Sequence, residues 1–322
     1  MHIPDGFIDA KTAIVSGAAA AVAVGYALRS VKRTLPSSRV PLLGLSAAFI
    51  FAAQMINFPV AGGTSGHLLG AVLAAVLLGP GPAILVMTSV LVLQCLMFAD
   101  GGITALGANI LNMAVLAPLV GYAVYRGVMS VFGHSLRARL FGVAFASWCS
   151  TVAASVGCAC QLAMSGTARL GLVLPAMAGI HMIIGIGEAL ITTLVVASVA
   201  RAHPEILDDA RLEGRTHGAD LVAYGVVLSL VLVVLVAPFA SPWPDGLEKV
   251  AASLGFESVA SARPLVASPM PDYVFPGLNV GWISTAITGL AGTAVAFAMA
   301  YFLARALTPR GVRKQGEGTS KN

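Results

Sequence analysis

Leu221-Val-Ala-Tyr-Gly-Val-Val-Leu-Ser-Leu-Val-Leu-Val-Val-Leu-Val-Ala-Pro-Phe-Ala240 contains no charged residue. A helix needs about 20 apolar residues to cross the hydrocarbon layer of a bilayer, and this stretch is long enough. The whole chain agrees with it. Of 322 residues, 57% are hydrophobic and only 10% are Asp, Glu, Lys or Arg. Ordinary soluble domains carry about 25% charged residues, so a soluble or nucleic-acid-binding protein is excluded. Mean hydropathy is +0.88. The composition predicts an all-α polytopic membrane protein.

Apolar runs predict nine transmembrane helices, near 12–29, 40–57, 60–79, 82–98, 103–125, 140–163, 173–199, 221–240 and 280–304. With the N-terminus outside, fifteen of the nineteen Lys and Arg residues fall on cytoplasmic segments. They are Arg29, Lys32, Arg33 and Arg39; Arg126, Arg137 and Arg139; Arg201, Arg211 and Arg215; and Arg305, Arg310, Arg313, Lys314 and Lys321. Lys11, Arg169, Lys249 and Arg263 remain outside. This obeys the positive-inside rule and places the C-terminus in the cytoplasm. The net charge of +5 thus encodes orientation. A cleaved signal peptide is not expected, because Asp5 and Asp9 precede the first apolar run and its basic cluster follows it. Cys95, Cys149, Cys158 and Cys160 lie in apolar stretches with neither zinc nor disulfide spacing, and read as core residues.

Two stretches are irregular. Val60-Ala-Gly-Gly-Thr-Ser-Gly-His67 precedes a short apolar run that ends at Gly79-Pro-Gly-Pro82. Glycine-interrupted short segments are where transporters place binding sites, since freed backbone must face a cavity or ligand. Residues 241–278 form a polar, proline-rich outer loop. The expected organisation is a seven-helix unit over 1–199, a cytoplasmic linker over 200–220, a two-helix unit over 221–305 and a basic tail over 306–322.

Histidine is the commonest metal ligand. His2 follows the initiator methionine, which a side chain that large protects from removal. The Met1 amine, the His2 backbone nitrogen and His2 Nδ1 can chelate one metal through a five- and a six-membered ring. This leaves one corner of a square plane open, and a further imidazole such as His67 can fill it. Four nitrogens in a plane favour Ni(II) or Cu(II). Binding must weaken in acid, because the metal displaces protons. The bland alternative is a histidine placed at position 2 by accident.

His181 and Glu188 lie seven residues apart, on one helical face. Glu188 is the only acid well inside a span, and an intramembrane ionisable group is a functional candidate by default. A packing hydrogen bond is the alternative. No HExxH pattern supports an intramembrane hydrolase. Asp100-Gly-Gly-Ile-Thr-Ala-Leu-Gly-Ala-Asn109-Ile-Leu-Asn112-Met opens the fifth span, with Asp100 where a helix N-cap belongs. Asn109 and Asn112, like Gln54 and Asn57, either bridge helices or surround the metal ligands. Thr64, Ser65, Asp100, His181 and Glu188 join that candidate surrounding shell. Gly17, Ala21 and Gly25 form a small-residue stripe on the first span, for packing or for docking a partner. No P-loop is present, so the chain does not hydrolyse ATP through one.

The opening Met1-His2-Ile-Pro-Asp-Gly-Phe, the Gly-Gly-Thr-Ser-Gly-His67 segment and the Asp100 to Asn112 stretch resemble the NikM/CbiM family. These are substrate-capture subunits of energy-coupling-factor (ECF) nickel and cobalt importers. Pro244-Asp245-Gly246-Leu247-Glu248 resembles the signature of the two-helix companion often fused behind them. The resemblance implies a metal held by Met1, His2 and His67. It also implies a cytoplasmic ATPase pair, a separate coupling membrane subunit and a bacterial inner-membrane location. Its opening motif is closer to the nickel branch than to the cobalt branch. The chain is then a transport subunit and not an enzyme. A stand-alone secondary transporter or channel for Ni2+ or Co2+ is the second reading.

Overall fold

The computed structural model describes residues 1–203, 219–260, 265–278 and 280–308. Most of the expected 200–220 linker, and the tail beyond 308, lie outside the described residues. Among the described residues, seven helices are long and apolar enough to cross a membrane. They are α1 (Ala10–Thr34), α4 (Pro80–Phe98), α5 (Leu106–Phe132), α6 (Leu136–Met164), α7 (Leu170–Ala202), α8 (whose apolar stretch is Val222–Phe239) and α10 (Gly281–Leu307). The chain is a multi-pass, mostly helical membrane protein.

Two of the nine expected spans are shorter than expected. The run over 40–57 folds as α2 (Val40–Gln54), which at 15 residues is about 22 Å long. The run over 60–79 becomes a hairpin followed by α3, only Ala71–Leu78. In the hairpin, β1 (Phe58–Val60) pairs antiparallel with β2 (Thr64–Gly66). The physical reason is burial. Nearly every α2 residue is buried, and the helix has no polar face. A helix that is apolar all round is either a core helix or a span surrounded by protein, and hydropathy does not separate the two. α8 and α10 of the two-helix unit both pack on α2, so it forms the seam between the units. The seam is tight: a Cβ on Gly292 of α10 would lie 2.1 Å from Phe51 Cζ of α2.

α1 lies at the periphery, with Tyr26 76% exposed on its lipid face. Its first turn is capped by Asp9, whose Oδ1 accepts from the Thr12 N–H at 2.9 Å. Lys32 and Arg33 occupy its last turn, where cations complement the helix dipole. Gly17 packs on Gly107 of α5, whose Cβ, if present, would lie 2.4 Å from Gly17 Cα. Ala21 is exposed and Gly25 partly so, beside a groove along α1. The helix α9 (Gly246–Leu254) lies in the connection between α8 and α10 and packs against α7.

Candidate metal centre

Residues 1–9 fold back into the bundle. Ile3 is fully buried. Its N–H donates to Asn109 Oδ1 at 2.8 Å, and its carbonyl accepts from Asn109 Nδ2 at 3.1 Å and from the Gly102 N–H at 2.9 Å. Asn109 thus clamps one peptide unit next to His2. Asp5 Oδ1 accepts from Thr104 N–H and Oγ1. Gly102 leaves room for this chain entry, since a Cβ there would lie 2.2 Å from the Asp5 nitrogen. Asp100 differs from the sequence reading. Helix α5 starts only at Leu106, because the Gly101-Gly102 turn is spent wrapping the N-terminus, and the Asp100 side chain caps nothing. Its Oδ1 pairs with His2 Nδ1 at 3.0 Å.

The Met1 nitrogen lies 3.2 Å from His67 Nε2. The His2 and His67 rings stack with centroids 5.3 Å apart. His67 Nδ1 faces the Leu68 carbonyl at 3.1 Å. A proton on Nδ1 satisfies that carbonyl and leaves the Nε2 lone pair for the Met1 side of the site. Burial, then the Met1 ammonium, then His2 push the His67 pKa down to about 3. His67 is therefore neutral near pH 7, as a metal ligand must be.

Two residues that sequence reasoning did not place here complete the site. Both come from the outer loop of the two-helix unit. Asp245 forms an ion pair with the Met1 ammonium. Burial works against this ammonium, but Asp245 outweighs it and raises the Met1 pKa. Burial likewise opposes the Asp245 charge, and the Met1 ammonium overcomes it and holds the carboxylate well below its usual range. Asp245 also caps α9, accepting from the Leu247 and Glu248 N–H groups in a capping box with Glu248. Tyr273 is the second residue. Its hydroxyl donates to Asp100 Oδ2 at 2.6 Å, and its ring stacks on Phe98 at 4.7 Å. Asp272 and Tyr273 both adopt left-handed backbone, φ 52° and 59°. That conformation costs non-glycine residues about 1–2 kcal/mol each, and these contacts offset it. Burial opposes the Asp100 charge too, but His2 and Tyr273 together keep its pKa low. No signal beyond an acid inside the Pro-Asp-Gly-Leu-Glu motif, and a tyrosine in a polar loop, announces these contacts.

The remaining expected residues divide. Thr64 and Ser65 hold the Asp245 loop: Ser65 Oγ donates to the Trp243 carbonyl at 2.7 Å, and Thr64 Oγ1 to that of Pro244 at 3.0 Å. Gln54 Nε2 donates to the Leu69 carbonyl at 2.8 Å. Glu188 accepts from the Leu69 and Gly70 N–H groups and fixes the turn after His67. Asn57 borders a cleft of about 600 Å3, into which His2, His67, Asp100 and Asp245 also open. His181 borders a small cavity shared with Met1 and His67. Asn112 is away from the site, paired with Gln161 of α6 at 2.7 Å. Its separation from Asn109 follows from the π turn at Ile110–Leu116, which breaks the expected three-residue spacing.

The arrangement defines a class: a polytopic membrane protein that gathers nitrogen donors and paired carboxylates around its own N-terminus. The comparisons narrow the class. Residues 2–206 match the CbiM family, described as a cobalt uptake substrate-specific transmembrane region. The chain belongs to this family. Residues 219–309 match the PDGLE domain. A fused NikMN nickel transport protein of Archaeoglobus fulgidus is 36% identical over 310 residues, covering 95% of this chain and 98% of that protein. The fused nickel transport protein NikMN of Rhodobacter capsulatus is 32% identical, covering 96% and 99%. A crystal structure of a truncated transition metal transporter matches with 35% identity and a TM-score of 0.57, over 63% of this chain and all of that one.

Proposed function

We propose that the chain is the substrate-binding component of an energy-coupling-factor importer and that its cargo is Ni2+, with Co2+ as the related ion. Capture uses the Met1 amine, the His2 backbone nitrogen, the His2 imidazole and His67 Nε2. The observation that carries this is the 3.2 Å approach of the Met1 nitrogen to a neutral His67 Nε2, beneath the stacked His2 ring. The similarity to fused nickel transport proteins over nearly the full chain supports the choice of cargo.

Loading on this reading is an exchange of partners. The metal takes the amine from Asp245, and the ammonium proton and the His2 amide proton leave to water in the cleft. His2 Nδ1 leaves Asp100 to join the chelate, and a half-turn of the ring about χ2 makes the exchange. Asp100 and Asp245 supply negative charge that draws a dication into the outer cleft. In this proposal the N-terminus and residues 241–278 face outward and Lys- and Arg-rich segments face the cytoplasm, in a bacterial inner membrane. Residues 1–199 capture metal and 221–305 form the companion unit. ATP hydrolysis belongs to a separate ATPase pair, joined through a coupling membrane subunit that docks along α1 near Ala21 and Gly25. Nickel binding to the purified full chain tests the reading: one Ni(II) per chain is expected, weakened by His67→Ala. A wild-type protein that binds no nickel overturns it.

A further inference from the structure

His181 is buried to 2% exposure, about 17 Å along α7 from the Leu170 end. Its Nδ1 lies 2.8 Å from the Met177 carbonyl one turn earlier. A proton on Nδ1 satisfies that carbonyl, so Nε2 keeps its lone pair free. Nε2 has no hydrogen-bond partner among the described residues. His67 is oriented in the same way, with Nδ1 on a backbone carbonyl, although its Nε2 already faces the Met1 nitrogen at 3.2 Å. Back-bonding of this kind orients metal-binding histidines. Both imidazoles, with Met1 and Thr151, line one cavity of about 20 Å3, room for a single water or ion.

The Pro-Asp-Gly-Leu-Glu turn keeps this cavity open. A Cβ on Gly246 would lie 2.9 Å from His181 Nε2, so only glycine at 246 leaves the nitrogen accessible. Glu188 lies two turns farther along α7, but its carboxylate is committed to the Leu69 and Gly70 N–H groups and Thr192. Of the two polar residues expected on this face of α7, His181 alone has a donor atom to offer.

We infer that His181 is a second coordination station for the same cargo, deeper in the membrane than the capture site. The inference rests on the capture reading above. His67 keeps its bond to the metal while His181 Nε2 takes one of the positions the N-terminal donors vacate and water takes the others. The Met1 amine regains its proton from solvent and returns to Asp245. The His2 amide regains from water the proton it lost on chelation. The station takes a divalent cation of borderline softness that favours imidazole, such as Ni2+ or Co2+. Equilibrium capture does not need it, but passage does.

The test pairs His181→Phe, which keeps bulk and loses the ligand, with His181→Cys, which loses bulk and keeps a ligand. His181→Leu replaces Phe if the ring prevents folding. Equilibrium Ni(II) binding is measured on the purified full chain, and radiolabelled nickel uptake in cells with the other transport subunits. Both variants should bind one Ni(II) within about threefold of wild-type affinity. Uptake should fall at least tenfold in His181→Phe, on the order of a lost orienting or ligating contact, and recover to within about threefold in His181→Cys. Normal uptake by His181→Phe overturns the inference, as does equal loss in the Cys and Phe variants. Loss of equilibrium binding in His181→Phe also overturns it, because His181 then belongs to capture. A wild-type protein without bound nickel instead overturns the capture reading itself.

Discussion

The N-terminal segment and the outer loop of the two-helix unit meet at one point but bring opposite chemistry. The first supplies nitrogens: the Met1 amine, and His2 stacked on His67. The second supplies oxygens, Asp245 on the amine and Tyr273 on Asp100. Nitrogens suit a borderline transition metal, and on the proposed reading the carboxylates hold protons and charge in place until it arrives. A loop of the two-helix unit is thus built into the proposed capture site.

Removing a nitrogen should cost most. His67→Ala leaves at most three nitrogen donors, and Ni(II) affinity should fall by about a hundredfold or more, roughly 2.7 kcal/mol, by equilibrium titration. An unchanged affinity would remove His67 from the ligand set.

Removing Asp245 should change the pH dependence more than the capacity. Asp245 raises the Met1 pKa, so Asp245→Asn lets the amine lose its proton at lower pH. The pH of half-maximal nickel binding should move down, by about one unit if the ion pair is worth roughly 1.4 kcal/mol. A midpoint that stays fixed or rises separates Asp245 from capture. Deletion after residue 200 removes Asp245 and Tyr273 together. It should retain one nickel per chain with the same downward shift, and complete loss of binding in a folded truncate contradicts that.

The same pair affects stability with a definite sign. The raised Met1 pKa stabilises below the unfolded value near 8.0, and this is lost as pH rises through the folded pKa. The lowered Asp245 pKa stabilises above the unfolded value near 3.8, and this is lost as pH falls through the folded pKa. Thermal unfolding of Asp245→Asn should differ from wild type between those limits and converge with it in strong acid.

Smaller effects test the edges of the comparison. Tyr273→Phe removes one hydrogen bond to Asp100, about 0.5–1.5 kcal/mol, and should alter nickel affinity by no more than about tenfold. Gly292→Ala overpacks the α10 contact with Phe51 and should cost about 1–3 kcal/mol of stability with little change in affinity. If both leave stability and binding untouched, the companion unit is less firmly docked than its packing indicates.

The sequence carried the first region plainly. Apolar runs marked the spanning helices, and a histidine at position 2 with a glycine-rich segment ending in His67 marked the candidate donors that the structure brings together. The second region stayed hidden because Asp245 reaches Met1 across 244 residues, and only packing brings them together. Hydropathy overestimated the length of two helical runs for a similar reason. α2 is apolar on every side because protein, not lipid, surrounds it. Asp100 and the glycines after it were read as a helix start, whereas Gly101 and Gly102 form the turn that admits the N-terminus.

The central claim is that the free amine of Met1 is a metal ligand. One residue added before Met1 leaves every native side chain in place and turns that amine into an amide. The decisive measurement is Ni(II) titration of the wild-type and extended full-length proteins, followed by stoichiometry and the visible spectrum of the bound metal. Wild type should bind one diamagnetic, square-planar Ni(II), and that spectrum should vanish with the extension. A second amine–amide–imidazole chelate in the extended chain would then be recognised by its indifference to His67→Ala. An extended protein that keeps the wild-type spectrum, affinity and dependence on His67 would contradict the account.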